Sequence, residues 1–120
     1  MIPEGYLAFR DALEGVIDPR YYTIGWLDWK IISGKYKFWR GDRSGIITEI
    51  REYPTGAKDI HCIIAAGDMN EIIHDLAPQA EAYGREQGCI ASIVESREGW
   101  ARALAPSGYV IHQVAIRKGL

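Results

Sequence analysis

The sequence lacks the features that mark several large classes of protein. It has no run of about 18 uncharged apolar residues, so we expect no membrane-spanning helix. Its 14 Lys and Arg residues are outnumbered by 16 Asp and Glu residues, and no basic block is longer than two residues. A dedicated nucleic-acid-binding protein normally has a clustered basic face. We therefore expect no nucleic-acid partner, apart from what a small local patch could bind.

Cysteine is scarce, and the close spacing of metal ligands is missing. The two cysteines, Cys62 and Cys89, lie in apolar runs and are expected to be buried free thiols. Neither they nor the three histidines have the spacing of a zinc motif, so we predict no metal site. The first residues, MIPEGYLAFRDALEG, carry charges where a signal peptide is apolar. We expect a cytoplasmic protein whose thiols stay reduced.

The remaining composition is that of one ordinary globular domain. Hydrophobic residues make up 48% of the 120 positions, charged residues make up 25%, and the formal net charge is −2. We predict a single domain over residues 1–120. Its N-terminal helices lie in residues 1–34, and its sheet core lies in residues 35–120.

Two amphipathic helices are predicted before the sheet. The first is short and ends before Asp18-Pro19, which marks the start of the second over residues 20–33. Trp26 and Trp29 recur in the second helix at helical spacing, and apolar residues cover much of its circumference. Packing against the sheet explains one apolar side. For the rest, the alternative is a protein partner or a second copy of the chain.

From Lys35 onward apolar residues recur at every second position, which predicts strands. Residues 41–45 have the composition of a hairpin turn, and a third, more continuously apolar strand follows at residues 59–66. Together these strands form an antiparallel meander. The hairpin mixes aromatic and charged residues as interface hot spots do, namely Trp39, Arg40, Asp42 and Arg43.

The second half of the chain predicts a β-α-β-α-β order. Asp68 to Glu71 has the spacing of a capping box, and the helix that starts there runs to Gln87 with Pro78 inside it. Three elements follow, a short strand, a helix and a last strand, at residues 89–94, 97–105 and 109–116. The predicted fold class is therefore α+β or α/β, with a mixed central sheet flanked by helices.

The segment REGWARALAPSGYVIHQVAI carries the most specific pattern. Acyltransferases of the GNAT superfamily often have Asn-x-x-Ala-x-x-x-Tyr-x-x-x-Gly-Phe here, before a strand that closes the sheet. Placed without gaps, the pattern falls on Arg97 (Asn), Trp100 (Ala), Leu104 (Tyr) and Gly108-Tyr109 (Gly-Phe). The sheet core thus resembles the GNAT superfamily. Its Gln-Gly-Cys, Arg-x-Gly-Trp-x-x-x-Leu and Gly-Tyr combination is similar to small GNAT-like proteins of tailed phages and prophages.

The resemblance implies acetyl-CoA as the cofactor if the family's site is retained. In GNAT enzymes a glycine-containing turn after the third of these strands binds the coenzyme A pyrophosphate through backbone N–H groups at a helix N-terminus. By position, the resemblance assigns cofactor contacts to Ala65, Ala66, Gly67, Asn70, Arg97 and Trp100.

Two departures from the family pattern bear on chemistry. The glycine positions of the turn fall on Glu71 and Ile73, and Asp68 adds a second carboxylate. A carboxylate is favourable at a helix N-terminus but repels a pyrophosphate. Leu104 occupies the position of the Tyr that is thought to protonate the leaving thiolate, and a leucine cannot do this.

The family mechanism also needs a base for the incoming amine. Glu49 and Glu52, on the second hairpin strand, are candidate catalytic bases, and Glu95 and His112 are further options. The alternative is that Glu49 and Glu52 belong to an ordinary solvated face.

Two functions stay open. One is a phage-type GNAT-fold pseudoenzyme with a degenerate acyl-CoA site, which acts through protein contacts in virion assembly or as an accessory protein that modulates the host. Such a protein would work in the host cytoplasm or be associated with the virion. The other is an acetyl-CoA-dependent N-acetyltransferase that acts on an unknown amine. The substitutions at Glu71, Ile73 and Leu104 favour the first.

Overall fold

A four-stranded mixed sheet forms the centre of the protein. The computed structural model describes residues 2–97 and 99–120. The strands lie side by side in chain order, as β1 (Lys37–Arg40), β2 (Ser44–Glu52), β3 (Lys58–Gly67) and β4 (Ala91–Val94). The first two neighbouring pairs are antiparallel, and β3 pairs with β4 in parallel. The predicted meander and the predicted mixed sheet are confirmed.

Side chains along β1 alternate between the two faces of the sheet, as the period of two requires. Phe38 packs on one face and Trp39 on the other. The indole N–H of Trp39 donates to Thr48 Oγ1 at 2.9 Å, and its ring meets that of Tyr83 in a T-shaped pair at 5.5 Å. Trp39, one of the predicted interface residues, is thus half-buried within the domain.

Helices α1 (Tyr6–Glu14) and α2 (Ile24–Ile32) cover the Phe38 face of the sheet. Their core side chains are Tyr6, Leu13, Leu27 and Ile31. The Tyr6 hydroxyl donates to Asp28 Oδ1 at 2.7 Å, and Arg10 forms a 2.7 Å salt bridge with the same carboxylate. Polar groups at the edge of this core therefore tie the two helices together.

The second helix begins later than predicted. Asp18 does not cap it, because the Asp18 carboxylate accepts hydrogen bonds from the backbone N–H and the guanidinium of Arg20. Thr23 is the N-cap instead, and its hydroxyl oxygen accepts from the backbone N–H of Trp26 at 3.2 Å. The predicted start at residue 20 is therefore wrong.

A third helix, α3, covers the opposite face over residues 69–86. Its parts are an α-helical start (Met69–Glu71), a π-helical segment (Ile72–Leu76) and an α-helical remainder (Ala77–Glu86). Pro78 explains the change, because it lacks the N–H that would bond to the carbonyl of His74 and its ring clashes there, so the preceding turn widens. The predicted helix is confirmed, with Asp68 as its N-cap and Pro78 inside it.

Close packing holds α3 on the sheet. The buried residues of this second cluster are Ile46, Ile60, Ile72, Leu76 and Ala80. Gly84 permits the approach, since a Cβ at that position would lie 2.8 Å from Ile60 Cγ2. None of the helices in the described residues combines the length and the apolar character that a membrane span needs.

The last predicted strand does not form. Helix α4 (Gly99–Leu104) is followed by a 3₁₀ turn (Ala105–Ser107), which ends at Gly108 with φ of 92°. Residues 109–120, all of which the structure describes, contain neither helix nor strand. Apolar side chains that predicted a strand at residues 109–116 stay exposed, because the segment joins no neighbouring strand.

Candidate functional site

The parallel strands β3 and β4 diverge and leave a cleft between them. Their pairing runs from Asp59 opposite Ala91 to Cys62 opposite Val94. Just beyond it, the backbone N–H of Glu95 donates to the carbonyl of Cys62 at 3.3 Å. The rest of β3 then pairs only with β2 among the described residues.

A β-bulge lies in β3 at the same point. Thr48 of β2 faces Cys62, but its neighbour Ile47 faces Ile64, so Ile63 is an extra residue in the ladder. Bulges re-aim side chains and are common beside functional sites. Here the bulge places both Ile63 and Ile64 next to the diverging strands.

The cleft is nearly filled on the α3 side of the sheet. Trp100 and Leu104 enter it from α4, and the cavity that remains measures about 40 Å³. That space is close to the volume of one water molecule and far below the roughly 300–1,000 Å³ of a small-molecule pocket. Leu104 is buried, and Trp100 packs against the cluster around Leu76.

Tyr109 closes the base of the cleft with its phenol group. Its hydroxyl donates to Glu81 Oε2 at 2.9 Å and lies 2.7 Å from Ser92 Oγ. Burial, with the adjacent Glu81 carboxylate, raises the pKa of Tyr109 to about 12. Sequence reasoning missed these contacts, because it treated Tyr109 only as the equivalent of the family's Phe. The hydroxyl that Tyr adds at this position is the signal that could have revealed them.

We expect Tyr109→Phe to lower the free energy of unfolding by about 1 kcal/mol, since it removes one hydroxyl that bonds to two polar partners. Chemical denaturation would measure the change. Tyr22→Phe is the matched control, because Tyr22 is an exposed tyrosine on the other side of the molecule. Equal effects of the two substitutions would contradict the proposed closure.

A larger cavity of about 280 Å³ lies on the other face, between the α1–α2 connection and the sheet. Its aromatic walls are Tyr22, Trp26 and Tyr36. It shares Ile63, Ile64 and Glu95 with the smaller cavity. The bulge and Glu95 therefore separate the two spaces.

Glu95 is the centre of a polar cluster at this boundary. Its Oε1 lies 2.6 Å from Arg51 Nη1 and 2.7 Å from His61 Nδ1. His61 is buried, and its Nε2 lies 3.1 Å from the Tyr53 hydroxyl. Burial opposes ionisation of Glu95, but the hydrogen bonds from Arg51 and His61 outweigh it, so the pKa of Glu95 is lowered. The carboxylate is thus held ionised.

Of the predicted bases, only Glu49 lies beside Glu95, and the other two lie elsewhere. Glu49 is bonded to Arg51 Nε at 2.6 Å, beside the Glu95 cluster. Glu52 is exposed at the far end of β2, opposite Lys58. His112 is exposed in the segment after α4. Of the four candidates, Glu95 alone lines both cavities. Its sequence position, between a strand and a helix, does not show that the two cavities meet there.

The start of α3 carries two carboxylates with several bonds each. Asp68 caps the helix, and its Oδ1 accepts from the backbone N–H of Glu71 at 2.9 Å. The Glu71 carboxylate accepts from the backbone N–H groups of Asp42 at 3.1 Å and Arg43 at 3.0 Å, and from the Ser44 hydroxyl. The Arg43 guanidinium adds salt bridges of 3.3 Å to Asp68 and 3.9 Å to Glu71.

These bonds lower the pKa values of both carboxyl groups. For Asp68 the backbone N–H of Glu71 has the largest effect, and for Glu71 it is the Ser44 hydroxyl. Two glycines permit the contact: a Cβ at Gly41 would overlap the Glu71 carboxylate, and one at Gly67, with φ of 113°, would overlap the carbonyl of Arg43. The β1–β2 turn is therefore fastened to the start of α3.

Known structures share this architecture, although no family model and no curated protein sequence matches the chain. A GCN5-related N-acetyltransferase from Ralstonia eutropha superposes with a TM-score of 0.70 at 16% identity, over 100% of this chain and 95% of that one. For a transcriptional regulator from Bacillus halodurans the TM-score is 0.71 at 13% identity, over 98% of this chain and 95% of that one. A predicted acetyltransferase from Clostridium acetobutylicum, solved with acetyl-CoA, has a TM-score of 0.66 at 10% identity, over 94% and 86%.

The chain has the GNAT fold. The predicted fold class is thereby confirmed. The residues at the family's pyrophosphate position do not fit that group. Asp68 and Glu71 place two negative charges at the start of α3, and their oxygens already accept the nearby N–H and O–H groups.

The six residues assigned to the cofactor by resemblance are not brought to one surface of the GNAT fold. Ala65 lines the small cavity, whereas Ala66 is buried under α1 and α2 on the other face. Gly67 packs against the β1–β2 turn. Asn70 and Arg97 are exposed, and Trp100 packs into the cleft.

Thiol and metal chemistry have little support in the described residues. Both cysteines are free, and burial raises the pKa of Cys62 to about 12 and also raises that of Cys89. Among residues 2–97 and 99–120, no three His, Cys, Asp or Glu side chains are grouped to hold a metal ion.

Proposed function

We propose that this protein is a GNAT-fold pseudoenzyme, with a degenerate acyl-CoA site, that acts by binding other proteins. The observation that carries the proposal is the pair of carboxylates at the start of α3. Asp68 and Glu71 take up the helix N-terminus and the adjoining N–H groups that an anionic ligand would need. A pyrophosphate would meet two carboxylates there.

The filled cleft supports the same proposal. A pantetheine-like arm needs a long slot between the diverging strands, and only about 40 Å³ is free beside Trp100 and Leu104. Moving Trp100 out would expose apolar surface of the core cluster that it covers. Leu104 also supplies no acidic hydrogen for a leaving group.

Protein contacts are favoured by the apolar side chains that the domain leaves exposed. Trp29 on α2 is 66% exposed, and Leu7 on α1 is also largely exposed. The similarity to small phage and prophage proteins favours a setting in virion assembly, or in modulation of a host protein in the host cytoplasm. Trp29 and Leu7 are the first positions at which to test partner binding.

A second candidate is an acetyl-CoA-dependent N-acetyltransferase with an unusual cofactor turn. The bulge at Ile63 favours this candidate, because bulges are common beside active sites. This bulge lies, with Glu95, between the two cavities. In this case Glu95 would bind the amine of an unknown acceptor from the side of the larger cavity. The two candidates differ in whether acetyl-CoA binds at all.

A thermal-shift titration with acetyl-CoA separates the two candidates. We expect no saturable change in Tm up to millimolar acetyl-CoA. A ligand of the native state at about 100 times its Kd would add about 2.7 kcal/mol of stability, which such a titration detects readily. A parallel titration with free coenzyme A serves as the control that lacks the acetyl group. A saturable shift that is lost in Arg97→Ala would overturn the proposed degeneracy and support the enzyme.

A further inference from the structure

The segment after Tyr109 is the most exposed apolar part of the chain. In residues 110–120, which we call the tail, Val110 is 85% exposed, Val114 is 77% exposed and Ile116 is 93% exposed. The described residues therefore cover little of these side chains. Apolar surface of this kind is rarely left open on a monomer, and larger patches mark interaction sites.

The tail has the composition of a strand. Val110, Val114 and Ile116 would share one face of an extended segment, since they are separated by even numbers of residues. β-branched residues are enriched in strands, and the tail contains no proline. It lacks only a strand with which to pair.

An open strand edge exists in the same molecule. β4 is the last strand of the sheet and has β3 as its one partner among the described residues. Among the described residues, no strand is hydrogen-bonded to the other edge of β4. Such an edge is a template for another strand.

The tail does not use the edge of its own chain. It starts close to β4, because the Tyr109 hydroxyl bonds to Ser92. The same hydroxyl bonds to Glu81 on α3, which fixes the start of the tail over the α3 face. Further along, Arg117 Nε donates to the Tyr21 hydroxyl at 3.1 Å, near the α1–α2 connection. Edge and tail are thus both left unpaired within one chain.

We propose that the tail of one copy pairs as a strand with the outer edge of β4 in a second copy, and that the exchange is reciprocal. Each interface is then used twice about a two-fold axis, as in other exchanged dimers. Gly108, with φ of 92°, lies at the point where the tail would turn away from its own domain. The pairing would satisfy the outer edge of β4 in each copy and place Val110, Val114 and Ile116 on one face of the enlarged sheet.

This inference goes beyond the proposed function, because the dimer forms whether or not the cleft binds acetyl-CoA. Its experiment is therefore separate from the acetyl-CoA titration, and either result can fail alone. Light scattering coupled to size-exclusion chromatography, with the full chain over a range of concentrations, should give twice the mass of the chain. Hydrogen exchange should show protected amides in the tail and in β4.

Val114→Asp with Ile116→Asp should raise the dissociation constant at least tenfold, since two charges would be buried in the new strand. These positions lie outside both core clusters, so the Tm of the diluted variant should stay that of the monomer. The control is Leu7→Asp, which places a charge at an exposed apolar position of α1, away from the tail, and should leave the dimer intact.

Three results would overturn the exchange. A monomer at high concentration with an unprotected tail means that the tail binds no second copy. A monomer with a protected tail means that the tail closes the sheet of its own chain. A dimer that survives the double substitution uses another surface, and its loss in Leu7→Asp alone would place that surface on α1.

Discussion

Truncation of Leu76 to Ala should lower the free energy of unfolding by about 2–5 kcal/mol. Leu76 is fully buried at the end of the π-helical segment, where it packs with Ile46, Ile60 and Ile72 under the candidate site. Its removal leaves a cavity, because the structure around a truncated core side chain relaxes only in part. Urea or guanidinium denaturation would measure the loss.

Leu7→Ala is the matched control for this truncation. Leu7 lies on α1 with 67% of its surface exposed, so the same chemical change should cost less than about 0.5 kcal/mol. If the two variants have equal stability, Leu76 is not packed in the core and the placement of α3 on the sheet is wrong. A large loss of stability in Leu76→Ala alone would agree with the burial of Leu76 and with the placement of α3 on the sheet.

The elements of the sheet core could be predicted because their signals are local. Gly67 and Asp68 mark the end of β3 and the cap of α3 within a few residues of sequence, and Pro78 marks the change of helix type next to it. The helix start at Thr23 was missed for a local reason as well. Asp18-Pro19 has the same composition as a helix start, but the Asp18 carboxylate bonds to Arg20 instead.

The parts of the site that were missed depend on contacts between distant residues. The partners of Glu71 lie 27 to 29 positions earlier in the chain, and no periodicity indicates that its carboxylate binds the β1–β2 turn. The bulge at Ile63 follows from the register of two strands and has no mark of its own in the sequence. It also explains why counting along β3 does not show which side chains line the cleft.

The last strand was predicted at residues 109–116, where the family pattern places a strand that closes the sheet. Such a pattern does not supply the neighbour that a strand requires. The hydrogen bonds of Tyr109 hold the start of the tail over α3, and so within one chain the segment stays single. A strand prediction therefore needs a pairing partner as well as a suitable segment.

Substitution of Glu71 by Ala should lower the Tm at neutral pH by roughly 5–10 °C, because the N–H groups of Asp42 and Arg43 and the hydroxyl of Ser44 lose their acceptor. The β1–β2 turn would then detach from the start of α3. Differential scanning calorimetry would measure the change. Glu86→Ala is the matched control, since Glu86 is an exposed glutamate of the same helix, and its Tm should change by no more than about 2 °C.

The effect of Glu71→Ala should also depend on pH, and the sign follows from the lowered pKa of Glu71 in the folded state. A carboxyl group of this kind stabilises the fold fully above its ordinary pKa of 4.5, and this contribution is lost as pH falls through the lower folded value. The difference in Tm between the wild type and Glu71→Ala should therefore be largest near neutral pH and should shrink in acid. A difference that stays constant from pH 7 down to about pH 3 would mean that the ionised carboxylate does not hold the turn. The N–H groups of Asp42 and Arg43 would then not depend on Glu71, and the argument for a degenerate acyl-CoA site would lose its main support.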